Sequence, residues 1–157
     1  MTDPPTSIEP VRKTVTVPAS PQRAFELFTA CISEWWPLAT HSVGKDQATG
    51  VVFGEGVGGA ITESLADGTT SVWGTVTRWE PPYLLACTWH AGTPVTEASA
   101  VEVTFTPAGP GETVVQLVHS GWEQLPGSAR TRADYDGGWD VVIGSYVRQA
   151  ALSGLPG

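Results

Sequence analysis

Basic residues are scarce in this chain. Eight Lys plus Arg stand against sixteen Asp plus Glu, a formal net charge of −8 over 157 residues. Nucleic acid and anionic membrane surfaces both require clustered positive charge, and Arg12-Lys13 is the sole adjacent basic pair, so neither is expected as a partner. Cysteine is nearly missing too. Cys31 falls in a helical pattern and Cys87 in a strand pattern, with no C-x-x-C and no metal-ligand spacing. Two buried free thiols in a reducing compartment are the expectation. No apolar run approaches bilayer-spanning length, and no basic segment precedes an apolar one in MTDPPTSIEP. A signal peptide and membrane insertion are therefore not expected, and a cytoplasmic location is. None of the three histidines shares a metal-binding spacing with another histidine or a carboxylate, and a catalytic zinc needs three ligands plus an open position. No metal is expected.

Hydrophobic residues make up 41% of the chain, which suits one globular domain and is too high for a disordered one. Residues 1–10 and 153–157 read as flexible tails, and 11–152 as a single domain. Val11 to Val17 alternates as a strand and stops at Pro18. Ser20 then caps a helix with Pro21 at its first position, and Ala24, Phe25, Leu27 and Phe28 form the apolar face. A second short helix runs from Ile32 to Trp36 and ends at Pro37. Residues 38–50 are polar and turn-rich, as a loop at a cavity mouth would be.

From there the pattern switches to period two. Strands are predicted near 50–54, 58–65, 70–79, 83–90, 98–107 and 112–121. Asp67-Gly68, Glu80-Pro81-Pro82 and TPAGPGE (106–112) supply tight turns, which require antiparallel neighbours. Beyond Ser128 the period changes again: Trp139, Val142, Ile143, Tyr146, Val147 and Ala150 recur at three and four. Gly137-Gly138 interrupts that helix, as close approach to a sheet or a kink would require. The resulting fold class is α+β: a helix-grip fold in which a seven-stranded, curved antiparallel sheet wraps a long C-terminal helix, with two short helices after the first strand. Such a fold encloses a cavity.

Several segments in order carry a family resemblance: WWPLATHSVG (35–44), GGAITESLADGTTSVWGTVTRWEPP (58–82), ACTWH (86–90), VVQLVHSGWEQLP (114–126), and Arg132, Tyr135 and Gly138-Trp139. Together they resemble the activator of heat-shock-protein ATPase homologue-like family, within the START/Bet v 1-like (SRPBCC) superfamily. The resemblance implies a central cavity for apolar small molecules. Chaperone activation is not carried over, because nothing in the sequence corresponds to the chaperone-binding domain of the co-chaperone that names the family.

One motif has to be set aside. GEGVGG (54–59) satisfies G-x-G-x-x-G, yet a dinucleotide site needs a helix after it, and AITESL follows as another strand. No cofactor is expected. Seven tryptophans are many for this length. Core packing explains some; Trp35, Trp36, Trp73, Trp89 and Trp139 are the candidates to line a ligand cavity. His119 shares strand parity with Val115 and Leu117, and Glu63 with Ile61 and Leu65, so both should point inward. A buried carboxylate needs a partner, and Arg78 or Arg132 could supply one. His41 and His90 sit beside turns and are expected to be exposed.

The leading expectation is binding of a small hydrophobic or aromatic molecule between sheet and helix, with His119 or Glu63 orienting it. The alternative is a polyketide cyclase or aromatase-type enzyme in which His119, Glu63 or Tyr135 moves protons. A third, a co-chaperone-like interaction module, needs an apolar outer sheet face, whereas Glu102, Thr104 and Gln116 are polar. Either a monomer or a homodimer fits the sequence.

Overall fold

A computed structural model describes residues 9–91, 95–122 and 128–153. The tails expected at 1–10 and 153–157 lie almost wholly outside these residues. Seven strands form one sheet: β1 (Val11–Val17), β2 (Ala48–Phe53), β3 (Ala60–Leu65), β4 (Thr70–Glu80), β5 (Leu84–Trp89), β6 (Ser99–Gly109) and β7 (Glu112–Ser120). Their spatial order is β1-β7-β6-β5-β4-β3-β2 and every neighbouring pair is antiparallel. The sheet is thus a meander from β2 to β7, with β1 laid along the β7 edge. Helices α1 (Pro21–Phe28) and α2 (Ile32–Trp35) follow β1, and α3 (Ser128–Ser153) follows β7.

Local chemistry accounts for each element. The Ser20 hydroxyl accepts from the Arg23 N–H at 3.2 Å, satisfying a free donor at the start of α1, and Pro21 opens the helix. Ala24, Phe25, Leu27 and Phe28 are buried beneath it. Along β6 and β7 the alternation is regular: Val101, Val103, Phe105, Val115, Leu117 and His119 face inward, while Glu102, Thr104 and Gln116 face out.

β4 departs from strict alternation, and the departure shapes the interior. The register with β3 steps from Gly74 to Val72 across consecutive partners, leaving Trp73 as an extra residue. A second step against β5 leaves out Thr77. The first bulge lets both Trp73 and Val76 turn inward, although they are an odd number of residues apart. Gly74 makes the first bulge possible, because a Cβ there would lie 1.8 Å from the Thr88 carbonyl oxygen. The W-G-x-V motif therefore has a steric reason.

One face of α3 (Trp139, Val142, Ile143, Tyr146 and Ala150) is buried against the sheet. Polar contacts fix its azimuth. Tyr146 donates its hydroxyl to the Ala24 carbonyl at 2.8 Å, and the Ser145 hydroxyl donates to the Trp35 carbonyl. Lys13 on β1 bridges Asp136 at 2.6 Å and Asp140 at 2.8 Å. Gly137-Gly138 does not make the close approach to the sheet expected of it. A Cβ at Gly137 would meet nothing within 4 Å, and one at Gly138 would touch only His41, at 3.8 Å. The helix runs through both as one element.

Candidate functional site

Between the sheet, the start of α3 and the segment after α2 lies a cavity of about 390 Å³. Trp36, Trp73, Trp89 and Trp139 form its walls. Tyr135, Gly138 and Val142 complete the helix side, Ala91 and Asp134 the rim, and His41, Ser42 and Val43 the mouth. The expected mouth loop is therefore in place.

The four indoles form a continuous aromatic enclosure. Trp36 lies with ring centroids 5.0 Å from Trp73 and 5.8 Å from both Trp89 and Trp139. Trp89 in turn lies 5.7 Å from Trp73 and 5.5 Å from Trp139. Their polar atoms are tied behind the wall. Trp36 Nε1 donates to the His41 carbonyl at 2.7 Å, Trp73 Nε1 to Glu63 Oε1 at 2.9 Å, and Trp139 Nε1 to His119 Nδ1 at 2.9 Å. With the N–H groups held outward, the cavity receives carbon faces and edges.

Trp89 is the exception. Its Nε1 is buried and has no hydrogen-bond partner among the described residues. A buried unpaired donor costs about 1–3 kcal/mol, so this one stands out against its satisfied neighbours. It lies close enough to the Tyr135 hydroxyl to favour the phenolate, without meeting the geometry of a formed hydrogen bond. Burial dominates at Tyr135 and raises its pKa, so the group is a neutral phenol.

Glu63 and His119 are fully buried, as their parity implies, but both stand behind the cavity wall. The Glu63 carboxylate accepts from Val43 N–H at 2.9 Å and Trp73 Nε1–H at 2.9 Å through Oε1, and from Gly44 N–H at 2.8 Å through Oε2. Neither expected arginine reaches it. Arg78 pairs with Glu80 on the surface, and Arg132 donates to the Glu9 and Pro10 carbonyls. Three N–H donors replace a cation, which lets one carboxylate hold a wall residue and the mouth loop together. Gly44 fits there because a Cβ would meet Leu65 Cδ2 at 1.9 Å and Glu63 Oε2 at 3.0 Å.

His119 is fixed by its hydrogen bonds in one tautomer. Nδ1 accepts from Trp139, so the Nε2 proton goes to Ser99 Oγ at 2.6 Å, and Ser99 donates onward to the Trp89 carbonyl at 3.1 Å. Burial depresses its pKa to about 3, keeping the ring neutral. Its ring also lies 4.9 Å from that of Tyr135. The cluster of Glu63, His119, Tyr135 and an arginine is thus not assembled: the hydrogen bonds of Glu63 and His119 go to separate partners, and Tyr135 alone of the three lines the cavity. Trp35 also sits elsewhere, packed on Phe28 and Tyr146 with Nε1 donating to the Leu27 carbonyl.

Other expectations change as well. His90 is buried, its backbone N–H donating to the Trp73 carbonyl at 2.6 Å, whereas exposure was expected. His41 is half-buried, and Cys31 is only partly covered while Cys87 is buried. GEGVGG joins β2 to β3, as a strand rather than a helix after it implied. Gly138 and Val142 were missed as wall residues, although they follow Tyr135 and Trp139 at helical spacing. Ser99 carried no sequence signal, since its link to His119 exists only across two strands. Among the described residues, no group of three or more His, Cys, Asp or Glu could hold a metal ion, and no helix is long and apolar enough to cross a membrane.

A curved antiparallel sheet gripping one long helix around an aromatic-walled cavity defines a helix-grip protein of START/Bet v 1-like type. The chain belongs to the family described as Activator of Hsp90 ATPase homolog 1-like protein, whose model matches residues 18–145. Among solved structures it is similar to an anthrahydroquino-gamma-pyrone synthase, Txn09, at 30% identity and a TM-score of 0.62, over 92% of this chain and 98% of that one. CalC, a self-sacrificing resistance protein from Micromonospora echinospora, matches at 24% identity and TM-score 0.64, over 90% and 94% of the two chains. The Aha1 dimer from Colwellia psychrerythraea matches at 17% identity and TM-score 0.64, over 89% and 94%. No curated protein matches the chain at a significant level.

Proposed function

We propose that this protein binds a small, planar hydrophobic or aromatic molecule in the cavity between sheet and α3. The observation that carries the reading is the enclosure of Trp36, Trp73, Trp89 and Trp139 around about 390 Å³. Small-molecule sites are mostly apolar and aromatic with few polar groups, and a wall of four indoles offers stacking faces to flat rings. Gly138 leaves the helix side of that space open.

A second reading, ring closure or aromatisation of a polyketide-like substrate in the same cavity, is favoured by one observation: the 30% identity with a pyrone-forming synthase over nearly the full length of both chains. Of the three groups expected to move protons, Tyr135 is the one on the cavity wall, so it would carry that chemistry.

Native mass spectrometry of freshly purified protein, compared with the denatured mass, tests the binding reading. One retained small molecule per chain is expected, lost in G138L, whose side chain enters the cavity. An apo mass together with unquenched tryptophan emission on titration with planar aromatics would sink the proposal. Conversion of a retained compound on incubation would select the enzymatic reading.

A further inference from the structure

We propose that the Tyr135 hydroxyl is the polar anchor of the cavity, donating to a neutral carbonyl oxygen of an aryl ketone or quinone, with the Trp89 indole N–H behind it. This rests on the aromatic-pocket reading above and adds the chemical class of the ligand. Three observations converge on it.

The first is the buried Nε1 of Trp89, which has no partner among the described residues although the indoles of Trp36, Trp73 and Trp139 are all paired. The residue is 5% exposed and lines the cavity. The second is Tyr135 itself, whose hydroxyl makes no formed hydrogen bond among the described residues while its ring is held against His119 and Trp122. An indole N–H can only donate. Beside the phenol, short of a formed hydrogen bond, it turns a positive N–H end toward the oxygen and leaves the O–H free to be given away. A ligand acceptor is the partner that this O–H calls for. Burial keeps Tyr135 protonated and the neighbouring indole makes it a stronger donor.

The third observation concerns charge. Asp134 lies at the rim, and no Lys or Arg is among the described residues that line the cavity. A carboxylate or phosphate on the ligand would meet no guanidinium or ammonium there and would face a like charge, so the acceptor is an uncharged oxygen. The wall is also pre-set: the Trp139–His119–Ser99 chain ends on the Trp89 carbonyl, fixing the strand that carries the donor.

The test compares two tricyclic probes of one shape, 9-fluorenone and fluorene, by quenching of tryptophan emission. Wild-type protein is expected to bind fluorenone about five- to tenfold more tightly, the worth of one net hydrogen bond. In Y135F, which keeps the ring and its packing, the ratio should fall to about one while fluorene affinity is unchanged. W89F should shrink the ratio without abolishing it. Equal binding of both probes by the wild type, or a preference that survives in Y135F, overturns the anchor and leaves the aromatic pocket standing. A ratio unmoved in W89F overturns the backing role of Trp89. Failure of both probes to bind overturns both readings together.

Discussion

Lowering the pH from 7 to 5 should destabilise this protein through His119 by an amount the structure sets. The imidazole is fully buried, its Nδ1 accepts from Trp139, and burial holds its pKa at about 3. In the unfolded chain a histidine titrates near 6.5. Between those values the unfolded state binds a proton that the folded state refuses, so stability falls as pH falls. For an ordinary histidine pKa of about 6.5, protonation favours the unfolded chain by about 2 kcal/mol at pH 5 and by only a few tenths at pH 7. The loss continues at about 1.4 kcal/mol per pH unit until the folded pKa is reached. Urea unfolding followed by far-UV circular dichroism at the two pH values reads this directly. Asp67 and Asp136, whose carboxyl pKa values are lowered by Thr69 and by Lys13 respectively, lose their contribution only at lower pH, below about 4, so they add little over this interval. The decisive quantity is therefore the difference between wild type and H119Q, whose amide can still donate to Ser99. Wild type should lose about 2 kcal/mol more than H119Q over this interval. Equal losses would refute the buried neutral imidazole, and H119N provides a second comparison if H119Q folds poorly.

Three further outcomes follow from the packing. In G74A the added methyl would stand 1.8 Å from the Thr88 carbonyl, so β4 must part from β5; a stability loss of about 2 kcal/mol or more in urea is expected, and a loss below about 0.5 would contradict the steric reading. E63Q replaces one acceptor oxygen by a donor and strands at least one of the Val43, Gly44 and Trp73 N–H groups. Amide exchange at Val43 and Gly44 should rise by about tenfold or more, as expected for about 1–3 kcal/mol of lost protection; unchanged exchange would show that the carboxylate does not hold the loop. A thiol reagent at pH 8 should modify Cys31 in the folded protein and Cys87 only in denaturant. Cys87 is buried and its thiol is pushed up to about 12, so rapid native labelling of both would argue against that burial.

Much of this architecture can be read from residue periodicity, and the exceptions have identifiable causes. Glu63 and His119 share parity with apolar neighbours and are fully buried. Tyr135 and Trp139, four apart on a helix, reach one cavity wall. Parity says which side a residue faces but nothing of what meets it there. The partners of Glu63 come from a loop about twenty residues away and from β4, and those of His119 from β6 and α3, so a clustered polar site was expected where two separate anchors exist. Trp35 and Trp36 part company because α2 ends between them: Trp36 is already extended at φ −65° and ψ 127°. Pro37 disfavours helical backbone at the residue before it, so Trp36 turns out of the helix, while the alternation of β4 is broken by bulges that only pairing across strands defines.

The pairing of β1 with β7 sets how the molecule must assemble. Val11 lies opposite His119, and Val17 opposite Thr113, so the first strand of the sheet waits for the last before its edge is satisfied. Until β7 exists, Val11 and Val17, both completely buried in the finished fold, have no sheet edge to join. Closing so long a chain segment is entropically costly before any contact rewards it, which places folding among the slower, milliseconds-to-seconds class of β-rich topologies. Lys13 ties β1 to α3 through Asp136 and Asp140, so the same strand also braces the helix that bears Tyr135 and Trp139. Both sides of the cavity, sheet and helix, therefore depend on one pairing between the two ends of the chain.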